Sequence, residues 1–152
     1  MMKVDDVKKI AVIGSGAMGH GIAQVCAVAG FNVVMKDVKR EFLDNGVAKI
    51  GESLQFLVDK GKMQAGEMRK IINERIKTSL DTAEAVRDAQ VVIEAVPEKM
   101  DLKKSVFKEI SELAAVDAIL ATNTSTMSIS EIGSVVKKPD RFLGLHFFNP
   151  KK

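Results

Sequence analysis

The stretch KKIAVIGSGAMGHGIAQVCAVAG, residues 8–30, leaves few folds open to this chain. Its apolar run does not alternate with polar residues. It therefore reads as a strand buried on both faces, as in a parallel sheet. Three glycines follow in the spacing G-x-G-x-x-G, at Gly14, Gly16 and Gly19. A bare match to that pattern is weak. Set between a buried strand and the start of a helix, it describes a phosphate-binding turn. Gly14 permits the tight turn off the strand. Gly16 has no Cβ, so the backbone can approach a pyrophosphate. Gly19 lets the helix pack closely on the strand. Ser15, Ala17 and Met18 complete the loop, and the helix N-terminus offers free N–H groups and partial positive charge to phosphates.

A second signal agrees with the first. FNVVMKD, residues 31–37, reads as the next strand and ends in Asp37, 23 positions after Gly14 (37 − 14). A carboxylate there can accept the hydroxyls of an adenosine ribose and would repel a 2′-phosphate. The expected cofactor is NAD rather than NADP, although Lys39 and Arg40 follow at once and keep some tolerance of NADP open.

Beyond this unit, helical and strand patterns continue to alternate. Residues 41–60 place Leu43, Val47, Ile50, Leu54, Leu57 and Val58 near one stripe of a helix. GKMQAGEM breaks the pattern, and a helix restarts over 67–75. IKTSL reads as a short strand, SLDTAEAVRDA as a short helix capped by Asp81, and QVVIEAVPE as a buried strand ended by Pro97. A helix over 101–115, a strand in AILATNT, a short helix over 128–136 and a last strand in RFLGLHFFN complete the chain. Strands alternating with helices imply right-handed βαβ units. The expected fold is α/β: a Rossmann-type, doubly wound, mainly parallel sheet with a helical insertion after the second strand. Residues 1–152 make one dinucleotide-binding domain, a length that buries roughly 70% of the unfolded chain's surface.

Composition removes other classes. The net charge is only +3, with lysines and arginines spread among acids, so no nucleic-acid footprint is visible. The single cysteine, Cys26, excludes an intrachain disulfide and thiolate metal clusters, and reads as a small core residue; no metal is expected. No secretory signal opens the chain and no apolar run approaches the ~18 residues that span a bilayer, so no membrane partner is expected and the cytoplasm is the simplest location.

Ligands of open α/β sheets bind outside the carboxyl ends of the strands. Three strands here deliver polar groups to that edge: Glu94 and Glu98 after the fourth; Asn123, Thr124 and Ser125 after the fifth; His146 and Asn149 at the end of the sixth. His146 thereby reads as functional, whereas His20, beside Gly19 in a first helical turn, reads as packing or solvent-facing.

At this point the chain resembles a known family. AVIGSGAMGHGIAQVCAVAG, VVIEAVPE, ATNTST and RFLGLHFFNP are similar, in that order, to the NAD-binding domain of 3-hydroxyacyl-CoA dehydrogenases, with 3-hydroxybutyryl-CoA dehydrogenases nearest in style. A 6-phosphogluconate-type dehydrogenase fits less well, since no matching catalytic lysine motif is present. The resemblance implies hydride transfer between NAD(H) and 3-hydroxyacyl-CoA or 3-oxoacyl-CoA. It implies that His146 is the base that takes the hydroxyl proton, a role that suits an imidazole. Ser125 would hydrogen-bond the substrate oxygen and Asn149 the nicotinamide end. Glu98 and Lys103 would lie near the cofactor ribose, and Ser53 and Lys60 near coenzyme A.

The same resemblance implies a glutamate beyond HFFNP that orients the histidine, and a helical C-terminal domain that closes the cleft and carries dimer contacts. Both are expected to lie outside these 152 residues. Glu94 or Glu98 are the substitutes within the chain. Three readings follow: a cofactor-binding half that works with a missing domain or separate polypeptide, a weak stand-alone enzyme, or a non-catalytic NAD(H)-sensing or partner-binding module. The first is favoured, and homo-oligomerisation is left open.

Overall fold

A computed structural model describes residues 1–148. After a single 3-10 turn at Val4–Asp6, the elements run β1 (Lys9–Ile13), α1 (Ala17–Val28), β2 (Asn32–Lys36), α2 (Arg40–Asp59), α3 (Ala65–Lys70), β3 (Ile76–Ser79), α4 (Thr82–Val86), β4 (Val91–Glu94), α5 (Met100–Leu113), β5 (Ile119–Thr122), α6 (Ile129–Gly133) and β6 (Phe142–Gly144). The described strands form one sheet in the order β3-β2-β1-β4-β5-β6, every neighbouring pair parallel. The strand order reverses between β1 and β4, and that crevice is where such a sheet binds a ligand. The insertion after the second strand is α2 and α3.

The central strands are apolar throughout because both faces are covered. Ile10, Val12, Val33 and Met35 pack with Ile22 and Cys26 of α1 and with Leu43, Ile50 and Leu54 of α2 on one face. Ala11, Ile13, Val92 and Leu120 pack with Phe107 and Ile110 of α5 and Ile132 of α6 on the other. The helical stripe expected over 41–60 is thus the buried face of α2.

Some boundaries differ from the sequence reading. The helix expected over 67–75 begins at Ala65 and gives way after Lys70 to a wide π turn, Ile71–Arg75. That turn buries Ile71 and brings the Arg75 guanidinium to the carbonyl of Ala27 at 3.0 Å. The helix expected over 128–136 is trimmed to Ile129–Gly133, with Ser128 as its cap. The fourth strand ends at Glu94, before Pro97, because the Glu94 carboxylate folds back onto the N–H of Val96 (2.7 Å) and turns the chain. The sixth strand is shortest against expectation and ends at Gly144, opposite Thr122, the last residue of β5. One further backbone bond, Leu145 N to Thr122 O at 2.9 Å, follows, and then a side chain takes over: Asn123 Oδ1 accepts the N–H of Phe147 at 2.7 Å.

Candidate functional site

β1 hands over to α1 through Gly14, whose φ of +105° is a conformation that L side chains rarely adopt. A Cβ at Gly14 would also lie 2.6 Å from the carbonyl oxygen of Ala95, so this turn is pressed against the loop that leaves β4. Gly19 is packed harder still. A Cβ there would fall 1.9 Å from the carbonyl oxygen of Gly14. Gly16 is different, because a Cβ there would meet nothing within 4 Å. No packing within the protein demands a glycine at that point. Gly16 is the N-cap of α1 and has no side-chain cap bond, so the first N–H groups of the helix are left for a partner. An open position at a helix start, where a Cβ would fill only empty space, fits a diphosphate.

Asp37 closes the other side of the loop. Its Oδ2 accepts from the backbone N–H of Ser15 at 2.8 Å and from the Ser15 hydroxyl at 2.6 Å, and its Oδ1 accepts from Val38 N at 2.7 Å. The carboxylate expected at a ribose therefore also fixes the glycine loop, and Ser15 is buried. Arg40 is drawn aside to the Thr78 hydroxyl on β3 (3.0 Å), while the Lys39 ammonium lies 5.5 Å from the Phe42 ring. Phe42 and Asn45, in the first turns of α2, line the same cleft. The sequence reading missed both; their place directly after Asp37, three positions apart on one helix, was the available signal.

The cleft, about 700 Å³, runs from Asp37 and Val38 across the glycine loop to Pro97, Glu98 and Asn123. Its far end is held by an ionic cluster. The Lys103 ammonium, 1% exposed, donates to Glu94 Oε2 (2.6 Å), to Glu98 Oε1 (2.9 Å) and to the carbonyl of Val96 (3.1 Å). All three of its protons are committed to the protein. Lys103 also lines the cleft, beside Glu98, and holds that carboxylate in place there. Glu98 remains 46% exposed, and its other oxygen accepts from the hydroxyls of Thr124 (2.7 Å) and Thr126 (3.3 Å). Burial works to raise the Glu98 pKa. The Thr124 and Lys103 hydrogen bonds, the Lys103 charge and the Thr126 hydroxyl outweigh it, and the net shift is downward.

His146 lies past the end of β6, in extended chain stitched to β5 on either side by Leu145 N to Thr122 O (2.9 Å) and by the Asn123–Phe147 bond. Its ring is exposed and packs edge-on against Phe148, centroids 4.7 Å apart. Among the described residues no carboxylate bonds to it. Neither substitute is free to orient it: Glu94 is fully buried among Lys103, Thr122 and Val96, and Glu98 is tied to Lys103 and two threonines. Ser125 is exposed between those threonines. Asn149 lies outside the described residues. Ser53 and Lys60 do not line the cleft; both are exposed, Ser53 on α2 where it accepts from Gln24 of α1 (2.9 Å), and Lys60 just past the end of α2 with its ammonium 5.5 Å from the Phe56 ring. His20 Nδ1 donates to the carbonyl of Gly16 at 2.6 Å, a helix-internal bond. Cys26 is a core residue, and burial pushes its thiol up to about 11.

Known proteins resemble this chain in sequence and in fold. The chain is 44% identical over 142 residues to the 3-hydroxybutyryl-CoA dehydrogenase of Clostridioides difficile, covering 93% of this chain and 50% of that protein. It is 43% identical over 145 residues to the fatty acid oxidation complex subunit alpha of Idiomarina loihiensis, covering 95% of this chain and 20% of that one. The crystal structure of the (S)-3-hydroxybutyryl-CoA dehydrogenase of Ralstonia eutropha superposes with a TM-score of 0.90 at 38% identity, over 94% of this chain and 50% of that one. The chain thus spans half or less of the length of these relatives. The sequence model described as "3-hydroxyacyl-CoA dehydrogenase, NAD binding domain" matches residues 9–152. With the glycine turn, the carboxylate at the end of β2 and the parallel sheet all in place, this chain belongs to the family of NAD-binding domains of 3-hydroxyacyl-CoA dehydrogenases.

Proposed function

We propose that this chain binds NAD(H) for hydride exchange with a 3-hydroxyacyl-CoA or 3-oxoacyl-CoA, and that it acts with a further, separately folded part. The observation that carries the cofactor half of this reading is the contrast among the three glycines. Gly14 and Gly19 are required by the fold, and Gly16 is required by nothing inside the protein. Bound NAD supplies the hydride acceptor. The chain's own residues do the rest: the start of α1 holds the diphosphate, Asp37 accepts from the adenosine ribose, and Glu98 offers its open lone pairs at the other end of the cleft. His146 takes the proton of the substrate hydroxyl, or returns it in the opposite direction. Ser125 and Asn149 contact substrate and nicotinamide. Ser53 and Lys60 meet coenzyme A.

Two observations support a division of labour. The chain spans half or less of its relatives, and His146 has no carboxylate partner among the described residues. A histidine base without an orienter loses rate by factors up to about 10⁴ in the serine-protease triad, a different reaction that supplies only the scale. Loss of substrate positioning can cost a further ~10². The same exposed, unpartnered His146 favours a second reading, a non-catalytic NAD(H)-responsive module. No helix among the described residues is long and apolar enough to cross a membrane. A location in the cytoplasm remains part of the proposal.

The test follows NADH oxidation with acetoacetyl-CoA, for the wild-type chain and for His146→Ala, alone and mixed with the C-terminal half of a relative. The proposal expects trace turnover alone and a large gain on mixing that His146→Ala abolishes. Turnover that stays at trace level on mixing, with NADH still bound, would favour the non-catalytic module.

A further inference from the structure

Among the described residues Glu94 is the one fully buried carboxylate, and the reaction does not explain its burial. It ends β4, in register with Ile13 on β1 and Thr122 on β5, at the crevice where the strand order reverses. Oε1 accepts from the Thr122 hydroxyl at 2.6 Å; Oε2 accepts from Lys103 Nζ at 2.6 Å and from Val96 N at 2.7 Å. Every bond to it comes from inside the protein, and it is 0% exposed. A buried carboxylate is retained only where charge and hydrogen bonds compensate it, and an apolar pair of the same shape is often as stable. Stability is therefore a poor reason for this pair.

Charge gives a better one. Glu94, Lys103 and Glu98 sum to −1 (−1 + 1 − 1). Lys103 is neutralised from within by Glu94, so its bond to Glu98 is a second one. Glu98 keeps both its negative charge and its open side at the cleft, where it is 46% exposed. If Glu94 were neutral, Glu98 would become the sole counter-charge of a buried ammonium. The cluster would sum to zero, and the oxygen facing the cleft would be a poorer acceptor.

We propose that Glu94 is a positioning residue for the cofactor: acting through Lys103, it keeps Glu98 aimed at the cleft and net negative, ready to accept the hydroxyls of the second ribose of a dinucleotide. The inference rests on the NAD(H) reading of the cleft. It makes a distinction within that ligand. The end near Asp37 shares no hydrogen bond with the cluster, so ADP, which fills only that end, should respond little to Glu94.

The experiment titrates ADP and NADH into wild type, Glu94→Gln, Glu98→Gln and the double variant, with thermal unfolding of each as a check of folding. Glu94→Gln is expected to weaken NADH about tenfold and to leave the ADP dissociation constant within about twofold. The double variant should lose no more than Glu98→Gln alone, because both act through one carboxylate. Unchanged NADH binding in Glu94→Gln, equal losses for ADP and NADH, or fully additive losses would each overturn the inference. If Glu94→Gln does not fold, Glu94→Gln with Lys103→Met removes both buried charges. It leaves Glu98 charged but without the ammonium that aims it, so it should lose less NADH affinity than Glu98→Gln, and a wild-type NADH affinity in it would overturn the inference. Wild type binding neither ADP nor NADH would instead refute the NAD(H) reading itself.

Discussion

Alanine at each of the three glycines should produce three different proteins. At Gly19 the new Cβ would lie 1.9 Å from the Gly14 carbonyl oxygen and 2.6 Å from its carbon. Both are backbone atoms and neither can rotate away. Ordinary contact at about 3.4 Å requires α1 to lift from β1 by about 1.5 Å (3.4 − 1.9). Overpacking of this kind costs about 1–3 kcal/mol, and the upper end applies where backbone meets backbone. At Gly14 two penalties combine: a left-handed φ of +105° and a Cβ 2.6 Å from the Ala95 carbonyl oxygen. The strain alone costs about 1–3 kcal/mol, and the clash adds to it. Gly16→Ala meets no atom within 4 Å and has a φ of −68°. Its stability should change by less than about 1 kcal/mol, the scale of an N-cap substitution.

Binding should order the same variants differently. The methyl at position 16 occupies the space a diphosphate needs, so Gly16→Ala should lose at least about tenfold in NADH affinity, roughly 1.4 kcal/mol, while unfolding like wild type. Urea unfolding and NADH fluorescence titration on the three variants provide the assay. The reasoning is refuted if Gly16→Ala binds NADH as wild type does, or if Gly19→Ala is as stable as Gly16→Ala.

Three further outcomes follow from particular groups. Cys26 should resist a thiol reagent at neutral pH until the chain unfolds, because it is 7% exposed and its thiol is pushed up to about 11. The unfolded thiol ionises first, from its ordinary 9.0, so the Cys26 contribution to stability should fall as pH rises from 9.0 towards 11, and Cys26→Ala should remove that slope in alkaline denaturation curves. Glu98 has the opposite sign: its folded pKa is lowered, so its stabilisation is present above the ordinary value of 4.5 and lost as pH falls through the folded value. The stability difference between wild type and Glu98→Gln should therefore shrink in acid, measured by urea midpoints across that range. Leu143, Leu145 and Phe148 are 42%, 39% and 83% exposed around the end of β6. Such a patch should bind a hydrophobic dye and drive concentration-dependent association in sedimentation, and Phe148→Ser should reduce both.

The fold was legible because its signals are local and agree with one another. The non-alternating run before Gly14, the small-residue helix behind it and the repeated alternation of strand and helix all require a covered parallel sheet. Element ends were less legible because distant groups set them. Glu94 ends β4 early through its own carboxylate, and the Asn123 side chain, not a strand partner, holds the chain at Phe147, beyond the last backbone bond at Leu145. In the site, spacing alone brought Asp37 beside the glycine loop, but its bonds to Ser15 depend on loop geometry. The bonds of Lys103 were hidden for a related reason. Sequence sets this lysine one turn into a helix at the sheet edge, and only the packed structure shows two carboxylates and a carbonyl around its ammonium.

The central claim is that this chain is an NAD-binding domain that reads its cofactor through Asp37. Calorimetric titration of NADH and NADPH into wild type and Asp37→Ala tests it most directly. The account predicts saturable one-to-one NADH binding and much weaker NADPH binding. It also predicts a loss of about 1–3 kcal/mol in NADH affinity on removing the carboxylate that accepts the ribose hydroxyls and holds Ser15. No NADH binding by the folded wild type, equal affinity for NADPH, or an unchanged NADH dissociation constant in Asp37→Ala would contradict it.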